Sequence, residues 1–489
     1  MLEFVDETLR DGPQSLWATR MKTASMLGAT EHLNRSGYRK VCVASGASFE
    51  TAVKFLNEDP WERLRALKAY LPDTEIDILI RSRNLFGWER YPDEVIELLF
   101  RCLRDAGTQS IKIFDGLNDI DNIAAGFRIG KALGLHASGY LTFSLSPVHT
   151  DAHFAKKARE MIDAGVDAII MGDASGLLSG PRTKTLMAAL NAEVNGEVPI
   201  EFLAHHSMGL ALESYREAIL AGVRRVTTAC GPLANGESMP STLDVLDIAN
   251  ELGIPTALDV DAIRRTEDYF HWVAYKENHR VEPPVQFDPA RYEAFAAHQI
   301  PGGMISNFRN QLRELGLIHR LDEVLAEAGR VRTELGYPIM VTPFSQFVGV
   351  QATFNVIQGE RYKTVPKELY LYVLGHYGKP PGEIDPNVLD RILKGRKLDN
   401  LPPPVDFNGR ILDAFRKENG PFRSDEDLLL HLFYGAKHVS AMRANCVHVT
   451  GRPTIHQPLR AMLEELARDT SLSTMKFEQG NVRFSLSYQ

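Results

Sequence analysis

Eight short apolar runs recur through the first 230 residues, and the stretches between them carry a different period. The runs are LEFV (2–5), KVCVAS (40–45), EIDILI (75–80), SIKIF (110–114), ASGYLTF (137–143), DAIIM (167–171), PIEFLA (199–204) and RRVTTA (224–229). Each has the length of a strand and is too short for a buried helix. Between them, DEVIELLFRCLRDAG (93–107), HFAKKAREMIDAG (153–165) and LALESYREAILAG (210–222) place apolar side chains three and four apart, and each closes on a glycine suited to a helix C-terminus. Eight strand-then-helix units predict a (β/α)8 TIM barrel, an α/β fold, over residues 1–280.

A chain of 489 residues exceeds what one core supports, so further domains are expected. From 281 to 440 the pattern turns to long helical stretches such as FRNQLRELGLIHRLDEVLAEAGRVRTEL (308–335) and KELYLYVLGHYG (367–378), broken by PPGEIDP and LPPPVD. A mostly helical domain completing the funnel above the barrel is predicted there. Residues 441–489 pair strand-like ANCVHVTG and NVRFSLSY with a helical LRAMLEELARD, which reads as a small α/β segment.

A barrel of this type carries its chemistry at the C-terminal ends of its strands. The residues there are Asp6, Arg81, Asp115, the pair Gly172–Asp173, and His205. His205 is followed at once by His206, and neighbours on a strand point to opposite faces, so the two cannot grip one ion. The same-face partner of His205 is Leu203, which offers no donor.

Composition narrows the function. A net charge of −8 with 24% charged residues argues against nucleic-acid binding. Cys42, Cys102, Cys230 and Cys446 lack C-x-x-C spacing, so neither a disulfide framework nor a thiolate metal site is expected. The acidic start has no leader pattern and no apolar run reaches the roughly 18–20 residues of a spanning helix, so a cytoplasmic protein without membrane insertion is expected.

Several strand-end segments resemble the carboxyltransferase domain of biotin-dependent carboxylases, of the type found in the B subunit of pyruvate carboxylase, the alpha subunit of oxaloacetate decarboxylase and the large subunit of transcarboxylase. They are DETLRDGPQSLWATRMKT (6–23), FLNEDPWERLRALK (55–68), FDGLNDIDNI (114–123), SLSPVHT (144–150), QIPGGMISNFRNQL (299–312) and VTPFSQFVGVQATFNVIQGERYKTV (341–365), followed by GKPPGEIDP (378–386). The resemblance runs in order through roughly residues 1–400. It implies transfer of a carboxyl group between carboxybiotin and an enolate, with a divalent metal polarising the acceptor carbonyl and arginines holding its carboxylate.

The family's metal ligands are an aspartate, a carbamylated lysine and the two histidines of H-x-H. Carried over, they fall on Asp6, Gly172, Leu203 and His205, so only Asp6 and His205 retain a donor and the metal site is remodelled. Asp173, Glu201 or Cys230 could supply a further ligand. By resemblance Asp6, Arg10, Gln14 and Ser306 are catalytic and Arg81 binds substrate, and Arg83 and Asp115 are expected to line the same substrate site. Arg83 stands where relatives are neutral, so its guanidinium is expected to replace part of the lost metal charge. Cys42 and Ala44 replace an acidic residue and a tryptophan, which implies an unusual carboxylate or acyl acceptor rather than plain pyruvate.

Lys476 in STMKF lacks the surroundings of a biotin-attachment lysine and reads as a surface residue. Carboxybiotin is therefore expected on a partner, with biotin carboxylase and biotin carrier subunits and a homodimeric assembly implied by the resemblance. Two other readings stay open: a biotin-independent C–C lyase or decarboxylase of the same superfamily, and a non-catalytic scaffold subunit.

Overall fold

A computed structural model of the protein describes residues 1–301, 305, 309, 312–314, 316–394, 405–446, 474–479 and 482–487. Eight parallel strands close into a barrel in chain order: β1 (Glu3–Asp6), β2 (Lys40–Ser45), β3 (Glu75–Arg81), β4 (Ser110–Phe114), β5 (His136–Thr142), β6 (Ala168–Asp173), β7 (Ile200–Ala204) and β8 (Arg225–Thr228). β8 returns to β1, with Glu3 opposite Arg225 and Asp6 opposite Thr228. Each expected run forms its strand to within two residues. The helices Asp93–Asp105, Asp151–Asp163 and Ala211–Leu220 end before Gly107, Gly165 and Gly222, all at positive φ. Glycine is needed there because a Cβ would strain the left-handed turn that stops the helix.

The lumen of this barrel is charged. Lys112 from β4 bonds Asp77 of β3 at 2.9 Å and Glu7 just past β1; Lys40 of β2 lies 3.4 Å from Glu201 of β7, which Arg225 of β8 holds at 2.7 Å. Alternation then sends Ile76, Ile78 and Ile80 outward into the shell, where they join the main core with Val41, Ile111, Phe202 and Val226. Fully buried lysines and acids persist because each finds an opposite charge.

The helical region has two cores rather than one. Ile300, Val324, Val331, Leu335, Val348, Leu369, Tyr372 and Ile392 form a cluster of their own that takes in Leu117 from the loop after β4. By contrast Leu412, Leu428, Leu430 and Val439 pack into the barrel's core. The helix Asp425–Ala444 runs through the expected boundary at 440. Arg332 ties the first cluster to the barrel, donating to Ser144 Oγ and the Leu145 carbonyl at 2.9 Å each. Asn122 donates to the Tyr377 carbonyl at 3.0 Å, so the helices of 316–394 sit against the loops after β4 and β5.

In the C-terminal segment, strands β9 (Thr474–Gln479) and β10 (Val482–Ser487) form an antiparallel hairpin, and Lys476 is exposed on it. The helical LRAMLEELARD and most of ANCVHVTG lie outside the described residues. No described helix is long and apolar enough to cross a membrane.

Candidate active site at the barrel mouth

A cavity of about 590 Å³ opens at the wrong end: Met1, Glu3, Pro199 and Arg224 line it at the strand N-termini. Barrel chemistry sits at the other end, where strand-end side chains converge, and there the structure assembles a polar cluster. Arg10 Nε donates to Glu7 Oε2 at 2.7 Å and its Nη1 to Asp11 Oδ1 at 2.9 Å. Asp11 Oδ2 accepts from Ser238 at 3.1 Å and Ser15 at 3.2 Å, and His205 Nε2 lies 3.4 Å from it. Through Glu7 and Lys112 the cluster continues down the lumen to Asp77.

Electrostatics separate the two aspartates of the first motif. Burial opposes ionisation of Asp11, but His205, Arg10 and Ser238 outweigh it and hold the carboxyl well below the usual range. Burial likewise disfavours the His205 imidazolium, and the Asp11 carboxylate overrides that, so its pKa lies above the ordinary value. Asp6 takes another course. Burial raises its pKa to about 7, and the hydrogen bonds from Thr8 only partly offset this.

Asp6 is therefore not the partner of His205. Glu7 points into the lumen, so its neighbour Asp6 points into the shell, toward the side where Tyr38 and Cys230 are bonded at 3.1 Å. The carboxylate that meets His205 is Asp11, carried inward by the short helix Asp11–Leu16. The alternation that separates His205 from His206 applies equally to Asp6 and Glu7, and was the signal available. His206 is buried away from the cluster, where its amide donates to the Ser238 carbonyl at 2.7 Å.

Arg81 is half-buried at the end of β3 and bonds only the Gly87 carbonyl, at 3.5 Å, with the Trp88 ring 5.0 Å from its guanidinium. Among the described residues no carboxylate is hydrogen-bonded to it, and Glu50 acts on it only through its charge. With Arg90, Asp115, Asn122 and Phe344 it lines a cleft between the barrel and the helices above. Arg83 is engaged elsewhere: it bonds Asp93 Oδ1 at 2.8 Å and lies 3.7 Å over the Phe407 ring. That placement removes it from the expected substrate-binding, charge-replacing role. Asp115 borders the cleft, but its carboxylate accepts the Leu117 and Asp119 amides and the Asn122 side chain, which fixes the loop. Gln14 is half-buried and accepts from Ser45 Oγ at 3.0 Å. Ser306 and residues 302–304 of the PGGM segment lie outside the described residues.

The residues present do not fit the expected divalent metal. Asp173 is saturated by the Ser175, Gly176 and Leu178 amides, Glu201 is paired with Arg225 and Lys40, and Cys230 faces Tyr38 in the shell. Among the described residues no group of three or more His, Cys, Asp or Glu side chains could hold a metal ion. At the lysine position, a Cβ built on Gly172 would lie 2.1 Å from Tyr140 Cζ and 2.2 Å from its hydroxyl oxygen. Leu203 packs with Tyr140, Ile170, Met239 and Phe114. Tyr140 is the residue that motif matching missed; a glycine diagonally across the β5–β6 register from a tyrosine was its trace.

Known proteins agree with this architecture. A family model described as HMGL-like matches residues 137–269, and one described as a conserved carboxylase domain matches 296–480. The chain is 37% identical over 446 residues to the B subunit of pyruvate carboxylase from Methanocaldococcus jannaschii, covering 91% of this chain and 78% of that protein. It is 34% identical over 434 residues to the methylmalonyl-CoA carboxyltransferase 5S subunit of Propionibacterium freudenreichii, covering 87% and 84%. The carboxyl transferase domain of Rhizobium etli pyruvate carboxylase, solved with pyruvate and biocytin, superposes with a TM-score of 0.79 at 26% identity, covering 91% of this chain and 77% of that one. Taken with the closed barrel and the cluster at its mouth, this places the chain in the carboxyltransferase family of the pyruvate carboxylase B subunit and the transcarboxylase 5S subunit.

Proposed function

We propose that the chain moves a carboxyl group between carboxybiotin, presented by a partner carrier protein, and the enolate of a small carboxylate-bearing carbonyl compound. The observation that carries this is Arg81, a half-buried guanidinium hydrogen-bonded to no acid among the described residues, at the same end of the barrel's strands as the Arg10–Asp11–His205 cluster. A desolvated guanidinium binds a carboxylate through paired hydrogen bonds, which orients the acceptor's carbonyl. Pyruvate and biocytin in the R. etli structure support this substrate class. The altered wall at Cys42 and Ala44 supports an acceptor other than pyruvate, within the same chemistry.

Biotin carboxylase and biotin carrier partners and a homodimer belong to the same reading, which the relatives' being named as subunits supports. The test is incubation of the purified chain with free biotin and a panel of 2-oxo dicarboxylates, oxaloacetate first, followed by carbon dioxide release. Release that depends on biotin is expected and falls at least about tenfold in Arg81→Ala. Turnover independent of biotin would instead establish a lyase, and no turnover beside a stable complex with carboxylase subunits would establish a scaffold.

A further inference from the structure

The lysine and first histidine of the family's metal set are replaced here by Gly172 and Leu203, and both positions serve one side chain. Tyr140 places its hydroxyl oxygen 2.2 Å from where a Gly172 Cβ would be, so no side chain fits at 172 while the ring is there. Leu203 packs in the apolar group that surrounds the ring. Tyr140 is only 8% exposed, and no described residue is hydrogen-bonded to its hydroxyl, which is not among the fully buried atoms that lack a partner. Ser238 and Ser15 are taken up by Asp11, and Tyr215 by the Thr227 carbonyl, whereas the Thr142 hydroxyl two residues along β5 is buried without a partner. A hydroxyl that is free of protein partners at the mouth has its donor available to a bound ligand.

We propose that the Tyr140 hydroxyl donates the hydrogen bond that holds the acceptor's carbonyl oxygen as it becomes an enolate, in place of a divalent ion. The inference rests on the carboxyltransferase reading above. Phe114, Ile170, Leu203 and Met239 pack in one apolar cluster with Tyr140, and an apolar surround strengthens a hydrogen bond made at its edge. Arg10 and Asp11 flank it electrostatically, and burial pushes the phenol pKa up, so it stays a donor. In the transfer, the N–C bond of carboxybiotin breaks and carbon dioxide leaves. The ureido nitrogen takes the proton from the acceptor's α-carbon, and the C–H electron pair becomes the enolate. That carbon then bonds carbon dioxide, and Tyr140 keeps its proton throughout.

Oxalate, a planar mimic of a 2-oxo acid enolate, tests this by calorimetric titration of chelator-treated wild type and Tyr140→Phe, with metal content measured by mass spectrometry. Near-ultraviolet circular dichroism checks that the variant keeps its packing. Oxalate binding that survives chelation and weakens about tenfold or more in Tyr140→Phe is expected. Near one equivalent of metal per chain in wild type, no oxalate binding to wild type, or equal affinity in the variant would each overturn it. Biotin takes no part in this titration, so its failure is distinguishable from failure of the biotin-dependent assay above.

Discussion

Asp6 and Asp11 belong to one motif and carry the same carboxyl group, yet the structure gives them opposite charge behaviour. Asp6, buried in the shell and lifted to about 7, keeps its proton over a range where the unfolded chain has lost it. Folded Asp6 therefore binds more protons between about pH 4 and 7, and stability from this group falls as pH rises through that window. Asp6→Asn is expected to remove this slope and to stabilise the protein above pH 7 by a few kcal/mol, on the order of the shift. Urea midpoints across pH 4–8 check this; an unchanged slope would refute it. The two arginines of β3 and its loop divide similarly. Arg81→Ala is expected to raise KM for the acceptor with little loss of stability, whereas Arg83→Ala leaves KM unchanged and costs roughly 1–3 kcal/mol by removing the buried partner of Asp93, which then keeps only Arg128, and losing the Phe407 stack. Steady-state kinetics beside thermal melts separate the two.

At the scale of elements, β5 and β6 are coupled by one ring. Gly172→Ala forces a methyl group to within about 2 Å of the Tyr140 ring, and overpacking at such a site costs roughly 1–3 kcal/mol or more. Tyr140→Ala in the same chain is expected to recover part of that loss, and a double-mutant cycle by denaturant unfolding reads the coupling directly. Additive losses would mean that the strand accommodates the methyl group without the ring. The charged lumen makes a second case. Lys112 joins β4 to β3 and β1 through Asp77 and Glu7, so Lys112→Met leaves the buried Asp77 without its cation and Glu7 with Arg10 alone, and is expected to cost about 3–5 kcal/mol.

Over the whole molecule, the mouth of the barrel is roofed by helices with a core of their own, joined to it through a small number of polar ties. Arg332 is a buried one of these, and burial lowers its pKa to about 10, yet it bonds neutral groups, Ser144 and the Leu145 and Pro338 carbonyls. Arg332→Ala is expected to cost roughly 2–4 kcal/mol and to loosen this roof before the barrel. Hydrogen exchange should show earlier opening in 321–358 than in the strands; uniform loss of protection would argue for one cooperative unit. The helices at 412–444 belong energetically to the barrel, which the sequence did not announce, because an amphipathic helix carries the same pattern whichever apolar surface receives it.

The barrel was legible from the chain alone because period-2 and period-3.6 apolar patterns are local, and eight alternations leave few folds to choose from. The same is true of the missing donors at 172 and 203, since no packing restores a side chain that is absent. The partner of His205, by contrast, was settled by tertiary structure. Whether Asp6 or Asp11 meets His205 depends on which side of β1 faces the lumen and on the turn of a short helix after it. Likewise Arg81 and Arg83 look equivalent in LIRSRN, and only Asp93 and Phe407, brought up by the fold, take one of them out of the cleft. Tyr140 filling the space of Gly172 is a contact between strands 32 residues apart. Spacing along the chain says which residue types are present, but distance across a barrel determines which of them act together.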